Sequence, residues 1–364
     1  MAPHELPLSA EQESRAQRLL DENVVVSLHD HPVRLPERTE ELGEYRRSAH
    51  VAMGYEGLSR SGLDAVFDNF GDAGGPWLQT VTELGMRLCD IAHQDLVQVA
   101  TTTAAMRGAR TSGKVALVVG LEGAEPIEDD IDRIDVLYGL GVRQLGIVYR
   151  KENALGYGLG APEDRGLTDL GRRAVRRMNQ LGMAIDLSHA GDRTSLDVIE
   201  ASEQPVLITH AGARAVWDSI RMKPDEVITA CAAKGGLIGL EAAPHTTISP
   251  QHRRHSIESV MDHFRYCVDL VGIEHVAFGP DTFFGDHVGL HGALAKKLDL
   301  DAVFAAGPPF ERTEYVAGLE NPAECFPNIV RWLVLHGYSD EQIGAVIGGN
   351  VLRALDQIWS PTSW

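Results

Sequence analysis

Residues 166–189 read GLTDLGRRAVRRMNQLGMAIDLSH, and this stretch holds one complete structural unit. Thr168 stands where a side-chain oxygen can cap a helix start, and the residues from 168 to 181 carry apolar groups at helical spacing. Residues 184–187 then form a short, mostly apolar run, as expected of a strand buried on both faces, and Ser188-His189 ends it with polar groups. Helix followed by buried strand is the repeating unit of an α/β protein with a parallel sheet.

Working outward, similar strand-like runs occur at residues 24–28, 63–67, 115–120, 144–148, 205–209, 236–240 and 275–278, which makes eight with the first. Asp64 and Asp68 interrupt the second of them. Helical spacing recurs at 77–93, 131–140, 194–201, 224–233 and 256–271. Pro224-Asp225-Glu226 suits a helix start, where a missing N–H costs little and negative charge meets the positive end of the dipole. Eight strands alternating with helices over roughly 250 residues predict a (β/α)8 TIM barrel, of the metal-dependent hydrolase type once the strand ends below are included. Because periodicity does not show closure, an open doubly wound sheet is the alternative. The expected layout is one domain over 1–364: an N-terminal helix at about 10–22, the barrel at about 23–282, then a lid-like loop and extra C-terminal helices. Residues 32–61 and 282–324 are longer than ordinary connections, and such loops tend to be functional.

The 364 residues carry 33 Lys plus Arg against 52 Asp plus Glu, a net charge of −19. That field repels phosphate backbones and anionic lipid surfaces, so neither nucleic acid nor membrane is an expected partner. Four scattered cysteines without a Cys-x-x-Cys pair give neither a disulfide scaffold nor a thiolate zinc site. With no signal-like N-terminus and no long apolar run, a cytoplasmic location is expected.

Barrel active sites lie at the C-terminal ends of the strands. Five ends here carry imidazole or carboxylate: His29-Asp30-His31, Glu122 in Gly-Leu-Glu-Gly, His189 in Asp-Leu-Ser-His, Thr209-His210 and Gly279-Pro280-Asp281. Taken singly, a strand-end histidine is more often a hydrogen-bonded structural group than a ligand. His4, His50, His93, His245, His252, His255, His263, His275, His287, His291 and His336 keep that structural reading. A His-x-His pair, an acid and two further histidines at successive strand ends together suit a divalent cation such as Zn2+.

The chain resembles the membrane dipeptidase (renal dipeptidase) family of zinc peptidases over nearly its whole length. The resemblance is carried by residues 166–189, by PVLITHAGARAV (205–216), PDEVITACAAKGGLIG (224–239) and GGNVLRALDQIW (348–359). It implies two zincs per chain, with His29 on the first, Glu122 bridging, and His189 and His210 on the second. It also implies that Asp281 acts near the attacking water and the substrate amine, that Arg221 holds a substrate carboxylate, and that Asn153 is a polar loop group at the substrate. Even with the resemblance, Arg221 reads equally well as a surface salt-bridge partner. The family often forms homodimers, which leaves a dimer open.

Three departures from the family pattern stand out. His31 replaces the usual aspartate of His-x-Asp, so His31 is expected to ligate and Asp281 to join the first metal's shell. An imidazole in place of a carboxylate raises the charge of the site by one, which favours ionisation of a bound water. Tyr149 stands where the family has a histidine that meets the scissile carbonyl, and a phenol donates a hydrogen bond without positive charge. Arg150 and Lys151 beside it read as solvated loop charges. In the eighth loop, Gly-Pro-Asp-Thr-Phe-Phe-Gly-Asp lacks the usual second acid unless Asp286 supplies it. The resemblance therefore implies hydrolysis, by a hydroxide held between two zincs, of the amide bond of a dipeptide or dipeptide-like small amide with a free carboxylate. A hydrolase of a specialised non-peptide amide or lactam, and a catalytically weak metal-containing barrel that binds a small carboxylate, are the alternatives.

Overall fold

The computed structural model describes residues 6–35, 53–69, 75–149, 151–244, 246–287, 289, 313 and 315–360. Among the described residues nine strands are formed: β1 (Val26–Ser27), β2 (Ala65–Asn69), β3 (Val97–Val99), β4 (Val115–Leu121), β5 (Gln144–Gly146), β6 (Ala184–Asp186), β7 (Leu207–Ala211), β8 (Leu237–Leu240) and β9 (Val276–Phe278). All pairings between them are parallel, in the order β1-β2-β4-β5-β6-β7-β8-β9. The ring closes where Leu28 N–H donates to the Phe278 carbonyl at 2.9 Å and Asp281 N–H donates to the His29 carbonyl at 2.9 Å. Closure removes the open-sheet alternative and makes the molecule a (β/α)8 barrel.

The two aspartates at the second run do not break it, because each has its own partner. Asp64 accepts from Val25 N–H and Arg110 at 2.8 Å each, Asp68 pairs with Arg87 at 2.5 Å, and β2 registers with β4 over five residues. Among the elements outside the expected set, a strand and a helix lie between β2 and β4. The short strand β3 pairs only with the start of β4, and helix Thr103–Ser112 is capped by Thr102 and ended by Gly113 at φ 72°. The helix Asp169–Leu181 is capped by Thr168, whose hydroxyl oxygen accepts from Gly171 N–H at 2.9 Å.

Two packed layers hold the barrel. Outward-facing side chains such as Val66, Leu117, Val119 and Ile185 pack with the surrounding helices, while Val26, Phe67, Val118, Leu207 and Leu237 form a second cluster with Val351, Leu352 and Leu355. The last three belong to the C-terminal helix Asn350–Ile358, so that helix covers one end of the barrel. Its approach requires Gly348, where a Cβ would lie 1.9 Å from the Val24 carbonyl oxygen. The strand ends carrying His29, Glu122, His210 and Asp281 line the opposite mouth. Of the two long connections, residues 36–52, 288, 290–312 and 314 lie outside the described residues.

His255 and His263 are structural, as the sequence reading has them. His263 Nδ1 accepts from Ala213 N–H at 2.9 Å and Nε2 lies 2.8 Å from the Ile248 carbonyl; burial brings both histidines down to about 4. Between pH 4 and about 6.5 the unfolded chain binds protons on these rings that the folded chain refuses, so stability falls as pH drops through that window. In a thermal-unfolding pH series, His263→Gln is expected to show a shallower loss across pH 6.5 to 4 than the wild type. Equal slopes would mean that His263 titrates normally.

Candidate metal centre

Side chains two residues apart on a strand share a face, and the end of β1 uses this. His29 and His31 point into the mouth with their Nε2 atoms 3.1 Å apart. Asp30 turns the other way. It accepts from Ser27 Oγ at 2.6 Å and from the Thr282 N–H and hydroxyl at 2.9 and 2.7 Å, which ties β1 to the chain after β9. Asp281 Oδ1 lies 3.4 Å from His29 Nε2 and 3.2 Å from His31 Nε2. Its backbone is at φ 58°, a left-handed conformation uncommon for a residue with a side chain.

Glu122 follows β4 and stands between two pairs of imidazoles. Its Oε1 is 3.8 Å from His31 Nε2, and its Oε2 is 3.1 Å from His189 Nε2 and 3.9 Å from His210 Nε2. The last two nitrogens are 3.0 Å apart. Gly146 on β5 permits this placement, since a Cβ there would sit 1.9 Å from the Glu122 carbonyl oxygen. His29, His31, Glu122, His189, His210 and Asp281 are thus brought together. Two subsets, His29 with His31 and Asp281 and His29 with Glu122 and His210, have donor atoms close enough to share one ion.

The electrostatics fit a bound cation. Burial, reinforced by Arg221, holds His189 well below the usual histidine range; burial and then His29 do the same for His210, so both rings are neutral and keep a lone pair. Burial pushes the Glu122 carboxyl up, although His31 works against it. A buried carboxylate beside neutral imidazoles is costly unless positive charge joins it, and nitrogen with carboxylate oxygen is the donor set that a divalent ion such as zinc takes.

Behind the imidazoles a hydrogen-bond chain fixes one ring. Asp186, at the end of β6, accepts from Ser188 Oγ at 2.7 Å, Ser188 N–H at 3.1 Å and Thr209 N–H at 2.9 Å. With the Ser188 proton committed to a carboxylate that only accepts, Ser188 Oγ accepts from Thr209 Oγ1 at 3.1 Å, and Thr209 Oγ1 accepts from His210 Nδ1 at 2.9 Å. The proton is thereby held on Nδ1 and Nε2 is left as a donor atom. Such outer partners tune metal affinity by about 10- to 100-fold. Asp186→Asn is expected to lose metal affinity by about that factor in a chelator-competition titration, with the fold retained. Unchanged affinity would show that the chain does not set the tautomer. The Asn69 Nδ2 lies 2.7 Å from His29 Nδ1, and fully buried Lys223 donates to the Ala190 carbonyl at 2.5 Å, bracing the turn after His189.

The remaining expected residues fall into distinct positions. The Tyr149 ring lies 4.3 Å from that of His189, and burial, with the nearby Glu122 and Asp281 carboxylates, keeps its phenol protonated. Asn153 is engaged with its own loop: Nδ2 donates to the Ile147 carbonyl at 2.8 Å, and Oδ1 accepts from Leu155 and Gly156 N–H at 2.8 and 3.2 Å. Arg221 is buried, not at the surface, and forms an ion pair at 2.5 Å with fully buried Glu241. Asp286 is exposed and accepts from Gly289 N–H at 2.8 Å, so it does not supply a second acid to the cluster. Lys151 is partly exposed in its loop, and Arg150 lies outside the described residues.

Asn69 and Glu241 are absent from the strand-end motifs read in the sequence, and Asp186 and Thr209 enter it only as parts of such motifs. Glu241 had a signal, since it directly follows the strand run 236–240 and stands at a barrel-strand end like the others. Phe283 also matters locally, stacking on His31 with centroids 4.2 Å apart and meeting His287 on its other side at 4.8 Å.

Imidazoles and carboxylates clustered at the mouth of a (β/α)8 barrel define an amidohydrolase-like metal-centre architecture. The family model described as Membrane dipeptidase (Peptidase family M19) matches residues 14–293, and the chain belongs to this family. Among curated relatives, it is 28% identical over 285 residues to "Dipeptidase tcpJ" of Claviceps purpurea, covering 77% of this chain and 58% of that one. It is 25% identical over 291 residues to "Dipeptidase 3" of Homo sapiens, covering 77% and 53%. The chain thus spans less than two thirds of the length of both relatives. Among solved structures, an amidohydrolase from Pseudomonas aeruginosa superimposes with TM-score 0.79 at 25% identity, covering 94% of this chain and 99% of that one. A metallo peptidase from Rhodobacter sphaeroides, liganded with a phosphinate mimic of the dipeptide L-Ala-D-Ala, shares the fold with TM-score 0.73 at 21% identity, covering 93% and 100%. Among the described residues, no helix is long and apolar enough to cross a membrane.

Proposed function

We propose that the protein is a metal-dependent hydrolase of dipeptidase type, cleaving the amide bond of a dipeptide or a dipeptide-like small amide. The observation that carries this is the chain of contacts of 3.0 to 3.9 Å that links four imidazole Nε2 atoms and two carboxylates around Glu122 and Asp281. Family membership supports the reaction class. In this reading, His29, His31 and Asp281 would hold one zinc, and His189 and His210 a second, with Glu122 available to both. Bound there, divalent zinc supplies Lewis acidity and activates water at neutral pH.

Asp281 accepts the proton of the attacking water at a carboxylate oxygen and returns it to the leaving amine, the role of a general base that becomes a general acid. Tyr149 donates its O–H to the oxygen that gains charge as the carbonyl carbon is attacked; one neutral donor gives directional stabilisation without a formal positive charge. Asn153 keeps the loop after β5 in shape, which positions Tyr149. Endopeptidase action does not fit this reading, which seats the whole substrate in the barrel mouth. The alternative of a specialised small amide or lactam draws support from one observation, the Arg221–Glu241 pair.

The test is a panel of dipeptides and blocked small amides incubated with metal-loaded protein, with products identified by mass spectrometry. Metal-dependent release of the amine half from at least one member is expected. Stoichiometric metal with no cleavage of any member would contradict the proposal and favour a barrel that only binds small carboxylates.

A further inference from the structure

Arg221 does not stand at the site as an isolated cation. Its guanidinium donates to the Ser188 carbonyl at 3.3 Å and to the His210 carbonyl at 2.9 Å, so it forms the wall behind two of the clustered imidazoles. Its charge is met at 2.5 Å by Glu241, the residue after β8, with side-chain exposures of 6% and 0% for the two. Glu241 is in turn held by Thr247, whose hydroxyl donates to Oε1 at 3.3 Å. Burial pushes the Glu241 carboxyl up, and Arg221 pulls it back.

An arginine recognises a carboxylate through charge-assisted, often bidentate hydrogen bonds. Here two of the five N–H donors are engaged by backbone carbonyls, and a carboxylate counter-charge already lies 2.5 Å away. A substrate carboxylate arriving beside Arg221 meets a cation already neutralised and a second carboxylate close behind it. An uncharged oxygen acceptor, such as that of a carboxamide, ester or lactam, can still use the remaining N–H groups without that repulsion.

We propose that Glu241 is a specificity-determining residue that turns the site toward small amides whose amine half ends in an uncharged group instead of a free carboxylate. This rests on the amide-hydrolase reading above and narrows its substrate class. Glu241 touches Arg221 and not the substrate, so its effect is on which substrate end is accepted.

The experiment compares two phosphinate pseudodipeptides that differ only in a terminal carboxylate or carboxamide, binding to metal-loaded protein by calorimetry. Wild type is expected to bind the carboxamide at least about tenfold tighter, the scale of one charge-assisted hydrogen bond. Glu241→Gln should move that ratio at least about tenfold toward the carboxylate, with the change appearing in KM more than in kcat for the matching substrates. A merely structural role for Glu241 would weaken both ligands alike and leave the ratio fixed. A carboxylate preference in the wild type, or equal ratios in the two proteins, overturns the proposal while leaving the hydrolase reading intact. Because the wild-type ratio is decisive by itself, the test survives a Glu241→Gln variant that does not fold. Failure of both phosphinates to bind overturns the hydrolase reading and this one with it.

Discussion

Glu122→Gln is expected to lower kcat/KM by at least about 1,000-fold, the scale of losing an electrostatic group at the reacting centre. The substitution keeps shape and hydrogen-bonding length but removes the charge, and it turns one of the two acceptor atoms into a donor. Oε1 faces His31 and Oε2 faces His189 and His210, so one side of the cluster meets an N–H where it had a carboxylate oxygen. Stability provides a second, opposite signature. Burial disfavours the charged form of Glu122, so a neutral amide is easier to bury and the metal-free variant should melt at or above the wild-type temperature. The gain in Tm on adding zinc should shrink, because a ligand stabilises only through its affinity for the folded state. Calorimetry with and without zinc, paired with turnover, checks both halves. Wild-type activity in the variant would show that the site lies elsewhere.

Asp281→Asn carries the next largest effect, about 100- to 10,000-fold in kcat, as expected for loss of a positioned proton carrier. Asparagine is the informative replacement because it tolerates the left-handed backbone that Asp281 adopts at φ 58°, whereas alanine would add strain. Metal binding should suffer less than in Glu122→Gln, since His29 and His31 remain and the amide oxygen can still coordinate. Metal content by mass spectrometry and single-turnover kinetics separate the two effects. Equal loss of metal in both variants would make Asp281 a ligand before a proton carrier.

Much of this architecture is legible in the chain because parallel strands buried on both faces must be apolar, and eight such runs are visible. The runs are informative even where residue type breaks them: Asp64 and Asp68 interrupt the second but pair with Arg110 and Arg87. What could not be read is what depends on distant register. Strand β3 is three residues long and has meaning only beside β4, and helix Thr103–Ser112 declares itself mainly through its caps.

The site divides in the same way. His29 and His31 are two apart on one strand end, and Glu122, His189, His210 and Asp281 stand at other strand ends, so one rule selects all six. The layer behind them is set by tertiary contact. Asn69 meets His29 from β2, and Asp186 reaches His210 only through Ser188 and Thr209. Glu241 was within reach of the strand-end rule, and its pairing with Arg221 changes what the site should recognise.

In the proposed reading the imidazole and carboxylate cluster is a two-metal hydrolytic centre. Its most direct test is a zinc titration of metal-free protein, followed at once by calorimetry and by hydrolysis of the best amide from the panel. Negligible turnover is expected without metal, with activity rising to a plateau at two equivalents of zinc. Full turnover by the metal-free protein, or two tightly bound zincs with no hydrolysis of any small amide, would contradict it.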